Sequence, residues 1–426
     1  MNVLKNLVSN LLEAVATPML LVVNAYARLR CYQRGGHIKC ESRTGEFVVE
    51  DIAFKEESVD LAGFSHRITI AGDASSKEED TIVLMGGIPT DSSETFYWLV
   101  ARLCNLNVKL RCVIVHLPFM EMEAQLNYSE TIRSSYVGRA LPFNQEVSLS
   151  KMSIDPRYDH RNQAKTTFEI LQSMNIHRAH FVGHDRGAVV FDYLIGENPR
   201  LAISYSRGAQ LWDYYDDDWS NLAPSLIVGP PHRQMTLPWQ LQLLFFLVIV
   251  LKRPINLLSP SFTRDVSKSL PGTDAYDRAT HLFYKTLAVP KSIKLKIQQI
   301  MMQTDSTDEV RRRNQIKQCS VPIMQFQGED EFAYDGKNNL VSDQPFFGIY
   351  NLFVNEICDL YPGCVGQKPE FKKSEFLFDH GDYFTVKLLK KARLNRFCLI
   401  PNAAHFNIIE NPGACAGAIN DFIKSV

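Results

Sequence analysis

The chain carries almost no net charge. Its 46 lysines and arginines stand against 47 aspartates and glutamates, which leaves −1. Such a balance offers no global field to recruit nucleic acid or an anionic surface. The usual metal and cofactor signatures are also missing. Nine cysteines are present, and none is spaced Cys-x-x-Cys, so zinc and thioredoxin-like readings lack support. There is no His-Glu-x-x-His and no phosphate-binding Gly-x-x-x-x-Gly-Lys segment. Neither a metal nor an organic cofactor is expected. The cysteines read as buried thiols in a reducing compartment, with Cys358 and Cys364 left open as a pair. The triplet Arg311-Arg312-Arg313 reads as a solvated helix face. No internal repeat and no low-complexity tract interrupts the chain.

Long apolar runs are scarce. Residues 1–30 place Val3, Leu4, Leu7, Val8, Leu11, Leu12 and Val15 at helical spacing, the pattern of an amphipathic helix. The stretch from Ala14 to Tyr26 is interrupted by Pro18 and Asn24 and is short of the roughly 20 residues that a span needs. Its basic start, Lys5, is weak for a signal peptide. A helix lying on the protein or on a membrane surface is the favoured expectation, with an anchor or signal left open. Leu241 to Leu251 is apolar on every side except Gln242. That suits a buried cap helix, or one dipping into lipid. The expected location is cytoplasmic, with membrane association open.

What the chain does have is a core. With 45% hydrophobic residues, it exceeds what a disordered chain carries. Thr81–Met85, Arg111–His116, Ala179–Val182, Ala202–Tyr205, Ile323–Phe326 and Phe397–Ile400 are short apolar runs, as strands buried on both faces show. Helical patterns follow several of them: Phe96–Cys104, Asn162–Met174 and Ala188–Gly196. This alternation predicts βαβ units and a mostly parallel central sheet with helices on both faces, an α/β fold. Residues 1–80 read as a helix and short strands, including Phe47-Val48-Val49 and Ile68-Thr69-Ile70. Residues 81–211 and 319–426 form two parts of the core. The block 212–318 is helical in pattern and sits where a cap would be inserted.

The informative segment is Gly183-His184-Asp185-Arg186-Gly187. It follows a buried strand and opens a helix, the context of a nucleophile elbow. Glycines flank the nucleophile because the turn is so tight that side chains there would collide. The nucleophile is thereby exposed at the carboxyl end of the sheet, and the amide of Arg186 points at developing negative charge. An aspartate at this position attacks an sp³ carbon and forms an alkyl ester, which histidine-activated water then hydrolyses. The ordinary alternative is that Asp185 merely caps the helix.

The neighbouring segments resemble the epoxide hydrolase and haloalkane dehalogenase branch of the α/β-hydrolases. Gly86-Gly87-Ile88-Pro89 resembles its His-Gly-x-Pro loop. His116 to Phe119 stands where the branch has Asp-Leu-Pro-Gly. Pro401 to Phe406, followed by Glu410-Asn411-Pro412, resembles its histidine loop. The resemblance spans most of 81–210 and 315–426. It implies an α/β-hydrolase fold with a helical cap insertion, His405 as base, oxyanion-hole amides at Ile88 and Arg186, and a cis bond before Pro89. Gly86 departs from the branch's histidine and removes a side chain that braces the loop. Arg186 replaces the usual tryptophan. An Asp-Arg pair is similar to fluoroacetate dehalogenases, where arginine pairs with the substrate carboxylate.

The same resemblance puts the triad acid after Ile323–Phe326, on Glu331, with Asp330 as runner-up and Asp335 third. Asp213 is the alternative after the preceding strand. Leu282-Phe283-Tyr284-Lys285 resembles the branch's cap tyrosine segment, which makes Tyr284 the candidate donor to an epoxide oxygen, with Tyr214 or Tyr215 as its partner. About 70 residues separate Glu331 from His405, more than is usual, so an insertion is expected at about 333–394. The leading reading is hydrolysis of an epoxide on a small hydrophobic substrate. The second is a dehalogenase or β-lactone-acting enzyme. The third, of another class, is an inactive hydrolase-fold binding protein.

Overall fold

The computed structural model describes residues 11–12, 14–15, 18–19, 21–29, 45–61, 64–87, 94–118, 160–208, 246, 309–328, 377–388, 393–403 and 405–426. The expected cap helices, Asp213, Tyr214, Tyr215, Tyr284, Ile88, Pro89, Asp330, Glu331, Asp335, Cys358 and Cys364 lie outside these residues. So does the 241–251 segment, apart from Phe246.

Among the described residues, eleven strands form one sheet. They are β1 (Glu46–Val49), β2 (Ile52–Leu61), β3 (Phe64–Gly72), β4 (Thr81–Met85), β5 (Arg111–Val115), β6 (Ala179–Gly183), β7 (Ala202–Arg207), β8 (Ile323–Gly328), β9 (Leu377–Asp379), β10 (Phe384–Val386) and β11 (Arg396–Ile400). Their order is β1-β2-β3-β5-β4-β6-β7-β8-β11-β10-β9. The run β5-β4-β6-β7-β8-β11 is parallel throughout. Both margins are antiparallel: β1, β2 and β3 on one side, β10 and β9 on the other. "Mostly parallel" therefore holds for the centre, while the sheet as a whole is mixed. The antiparallel margins cover the edges of the parallel core with hairpins, which need no helical crossover.

The apolar runs form strands because the sheet is covered on both faces. Along β4, Val83 and Met85 join one core while Ile82 and Leu84 join the other. Along β5, Val113 and Val115 face the first core, and Cys112 and Ile114 the second. With the period-2 alternation of a strand, two buried faces require apolar residues at every position. The helices α2 (His160–Ser173), α3 (Arg186–Glu197) and α4 (Glu309–Gln318) pack together along the first face. Helix α1 (Tyr97–Leu106) and the last helix, α6 (Pro412–Lys424), pack together on the second. Between α6 and β11 lies the short helix α5 (Asn407–Glu410). Each fully buried Leu, Ile, Val or Phe side chain contributes roughly 1.5–3 kcal/mol, so the two cores dominate the stability.

The strand order fixes where a site can form. From β4 the chain steps outward to β5. It then returns to β6 on the other side of β4 and continues through β7 to β8. That reversal is a topological switch point, and the crevice at the carboxyl ends of such strands takes ligands in open α/β sheets. Met85 and Gly183, the last residues of β4 and β6, lie side by side in register. The loop that begins Gly86-Gly87 and the turn that carries Asp185 therefore start next to each other.

The five described cysteines, Cys104, Cys112, Cys319, Cys398 and Cys415, are buried free thiols. Near the N-terminus, residues 21–29 are helical, with Val23, Asn24 and Ala27 buried. Leu11, Val15, Leu21, Val22 and Leu29 are exposed. Among the described residues no helix is long and apolar enough to cross a membrane.

Candidate active site

Asp185 sits between β6 and α3 with φ 53° and ψ −126°. A positive φ is uncommon for a residue with a Cβ and costs of order 1–3 kcal/mol. It persists here because the turn is locked on both sides. A Cβ on Gly187 would lie 2.1 Å from the carbonyl oxygen of Met85. A Cβ on Gly183 would come within 2.8 Å of Ala188 Cα. The backbone bonds His184 N–H to Met85 O, 3.0 Å, and Gly187 N–H to His184 O, 3.1 Å, hold the loop against β4.

The alternative that Asp185 is an ordinary capping residue does not account for this geometry. An N-cap aspartate has β-region angles and accepts from the second or third helical amide. Asp185 instead takes the amide of Arg186, the first, through Oδ1 at 2.6 Å. Its other oxygen, Oδ2, lies 3.2 Å from Nε2 of His405. The carboxylate is buried, with about 4% of the residue exposed. Burial would raise its pKa. The hydrogen bond from His405 and the charges of His405 and Arg186 outweigh that and hold the carboxyl below the ordinary aspartate value.

Gly87 closes the other side. A Cβ there would fall 2.0 Å from Oδ1 of Asp185, so the backbone leading into Ile88 runs directly over the carboxylate. Any residue larger than glycine would displace the carboxylate or the loop.

His405 arrives on the loop between β11 and α5. That loop is tied at both ends by Asn411. Its Oδ1 accepts from Ala414 N–H at 3.3 Å as N-cap of α6, and its Nδ2 donates to Pro401 O at 2.9 Å. Pro412 follows as the first helical residue, where a missing N–H costs nothing. The Glu410-Asn411-Pro412 segment thus has a structural meaning: it anchors the far end of the histidine loop to its near end. Asn402 within the loop also has positive φ, 55°.

Arg186 is buried beside Asp185, and its Nη1 donates to Nε2 of His160 at 3.2 Å. An imidazole nitrogen that accepts carries no proton, so Nε2 of His160 is bare. His160 opens α2 and was not singled out in the sequence. His184 was missed as a side chain too. Its Nε2 donates to the carbonyl of His405 at 2.7 Å, and its ring lies 4.9 Å, centroid to centroid, from that of His405.

Beneath the elbow, Asp192 of α3 pairs with Arg207 at the end of β7. Both are fully buried, at 2.9 Å between Nη2 and Oδ2 and 3.0 Å between Nε and Oδ1. Tyr205 donates to Asp192 and to Ala188 O, and Arg207 donates to Gln325.

Asp185, Arg186 and His405 are thus brought together, and Gly87 puts the approach to Ile88 beside them. Ile88, Glu331, Asp330 and Tyr284 fall outside the described residues. Gly328, the end of β8, pairs with Ile400, the end of β11. The carboxyl end of β8 therefore lies next to the start of the histidine loop.

No protein-family model and no curated protein matches the chain. Solved structures of similar shape do exist. A structure described as a putative epoxide hydrolase from Pseudomonas aeruginosa is 12% identical, covering 87% of this chain and 96% of its own, with a TM-score of 0.47. A haloalkane dehalogenase loop variant from Bradyrhizobium elkanii is 13% identical, covering 87% and 97%, with a TM-score of 0.45. The 2-hydroxy-6-oxo-6-phenylhexa-2,4-dienoate hydrolase from Rhodococcus sp. strain RHA1 is 10% identical, covering 88% and 99%, with a TM-score of 0.49.

Proposed function

We propose that the protein is a hydrolase that opens a bond at an sp³ carbon through an alkyl ester on Asp185, and that its substrate is an epoxide. The observation that carries this is the division of labour between the two oxygens of Asp185. Oδ1 is held by the Arg186 amide, and Oδ2 faces His405. In the first half-reaction Oδ2 attacks the epoxide carbon, and the carbon–oxygen bond breaks. The leaving oxygen stays attached to the same molecule and takes a proton, with Tyr284 of the cap as donor. Oδ1 becomes the ester carbonyl, already seated on the Arg186 amide and beside the loop that leads to Ile88.

Esterification also changes His405. Oδ2 loses its negative charge and becomes a poor acceptor, so the imidazole proton it held on Nε2 moves to Nδ1, facing the acid, and Nε2 is left bare to take a proton from water. That water attacks Cγ, and the oxyanion forms on Oδ1, where preorganised amides stabilise it most. Collapse expels the alcohol oxygen, which takes the proton from His405. The proton that water leaves on the carboxyl passes to the Tyr284 oxygen, which gave its own to the epoxide oxygen, so the products are the diol and the free carboxylate. Glu331, with Asp330 as the alternative, orients the imidazole and balances its charge.

The experiment is intact-protein and peptide mass spectrometry of His405→Gln after brief mixing with a panel of epoxides, haloalkanes and haloacids. Without the base the second half-reaction stalls, and an adduct on Asp185 is expected with the mass of the epoxide. A halide-displacement adduct would transfer the assignment to a dehalogenase. No adduct across the panel would favour β-lactones, then a binding protein without activity. The buried Arg186 guanidinium beside the nucleophile supports the second reading specifically for substrates that carry a carboxylate. The exposed Leu11, Val15, Val22 and Leu29 support a membrane surface as a partner. Co-flotation with phosphatidylcholine vesicles, lost on changing these four residues to serine, tests that part.

A further inference from the structure

We infer that His184 is a positioning residue for the histidine base, and that the hydrolytic half-reaction depends on its Nε2–H bond to the backbone carbonyl of His405. The inference rests on the alkyl-enzyme reading above and assigns a task to a side chain that reading leaves unused. His184 immediately precedes Asp185, and its ring is buried. It lies against His405 and, at 6.5 Å between ring centroids, Phe326. A Cβ on Gly208 would meet His184 Cδ2 at 2.9 Å, so that glycine leaves the ring its place. Gly208 is itself fixed by its N–H bond to Gly183 O, 2.6 Å.

The direction of the bond is unambiguous, because a carbonyl oxygen only accepts. Nε2 of His184 therefore carries a proton. Burial and the nearby charge of His405 hold the ring's pKa at about 3, so Nδ1 stays bare and the imidazole neutral. One rigid turn thus holds both reacting parts. Its backbone presents the Asp185 carboxylate, and its side chain grips the main chain of the residue that must activate water against that carboxylate. The base comes from 220 residues further along the chain. Asn407 Nδ2 approaches the same carbonyl at 3.4 Å, a longer and weaker bond. The His184 bond is thus a direct tie between the elbow and the backbone of the base.

The two half-reactions separate this role from simple structural support. Alkylation of Asp185 does not use His405; hydrolysis of the ester does. In rapid-mixing mass spectrometry, His184→Phe is expected to form the adduct within about threefold of the wild-type rate. It should then lose the adduct about 10- to 100-fold more slowly, the scale of a small misplacement of a catalytic group. His184→Gln keeps an amide N–H at the reach of Nε2 and is expected to restore decay to within about fivefold. His184→Asn, whose amide is too short, is not. The Gln and Asn pair carries the comparison should the Phe variant not fold. Decay at the wild-type rate in His184→Phe or His184→Asn would overturn the inference. So would equal slowing of both steps in all three variants. His405→Gln serves as the control. If it traps no adduct, the alkyl-enzyme reading falls first. If it traps one while the His184 variants turn over normally, only the positioning role falls.

Discussion

Asp192 and Arg207 meet as a bidentate ion pair from which solvent is excluded on both sides. The pair joins the elbow helix α3 to the end of β7, and Gln325 extends it to β8. Burying two charges is costly, so its contribution lies less in net stability than in what happens when one half is removed. Asp192→Leu leaves a guanidinium in the core and is expected to lower stability by about 3–5 kcal/mol. The double change Asp192→Leu with Arg207→Met removes both charges and should cost much less than the sum of the two single changes. Urea unfolding of the four proteins forms the cycle; additive costs would mean that the two charges do not interact.

The glycines at the elbow give a second prediction, because their neighbours differ. Gly187→Ala drives a methyl into the backbone of Met85 and Gly86, which cannot move without opening β4. A loss of about 1–3 kcal/mol is expected, as for overpacking elsewhere. At Gly417, in α6, a Cβ would touch only the Tyr383 ring at ordinary distance, 3.8 Å. Ala there is expected to stabilise by about 0.5–1 kcal/mol through helix propensity. Thermal unfolding of the two variants decides it, and shifts of the same sign would refute the steric account of the elbow.

Much of this arrangement is legible in the sequence, for a physical reason. Strands buried on both faces are apolar at most positions, so β4, β5 and β11 stand out as runs, and β6 and β8 as runs interrupted by the buried polar His180, Gln325 and Gln327. The elbow stands out because its tight turn demands glycine at fixed places. The margins are less visible. β2 contains Lys55, Glu56, Glu57, Ser58 and Asp60, which reads as a loop. It is a strand because Phe54 is buried and Glu56 is paired with Arg67 and takes the Tyr97 hydroxyl at 3.3 Å. His184 and His160 escape notice because their meaning lies in partners far along the chain. A hydrogen bond across 221 residues, as between His184 and His405, leaves no periodicity to read. The last helix, which packs with α1, is masked by the small residues Gly413-Ala414-Cys415-Ala416-Gly417-Ala418, whose glycines weaken a helical pattern.

Acid should weaken the fold through His184. Its pKa drops from an ordinary value of 6.5 to about 3 on folding. Below about pH 6.5 the unfolded chain therefore binds a proton that the folded chain refuses. The stabilisation is fully present above that pH and is lost as pH falls towards about 3, at roughly 1.4 kcal/mol per pH unit. Asp185, whose carboxyl is also lowered, adds a loss of the same sign below its unfolded value. His180, lowered chiefly by burial, contributes to the same slope. Unfolding free energies at pH 7, 6 and 5 should fall for the wild type and fall less steeply for His184→Gln, by about one proton. An unchanged slope would mean that His184 takes up its proton in the folded state.

Arg186 separates the two leading substrate classes. Its backbone amide holds Oδ1 of Asp185 whatever side chain it bears, so Arg186→Leu leaves that contact in place and removes only the guanidinium beside His160. A hydrogen bond to a charged partner contributes about 1.5–3 kcal/mol, or roughly 10- to 150-fold in binding. If the substrate carries a carboxylate, KM for a haloacid should rise by that factor in Arg186→Leu, and adduct formation at low concentration should slow to match. Neutral epoxides should be affected much less, because they offer the guanidinium no anionic partner. Arg186→Lys keeps the charge but not the planar fork, and should fall between the two for the haloacid. Equal loss for neutral and anionic substrates would instead mean that Arg186 shapes the elbow through His160, and specificity would then have to be sought outside the elbow.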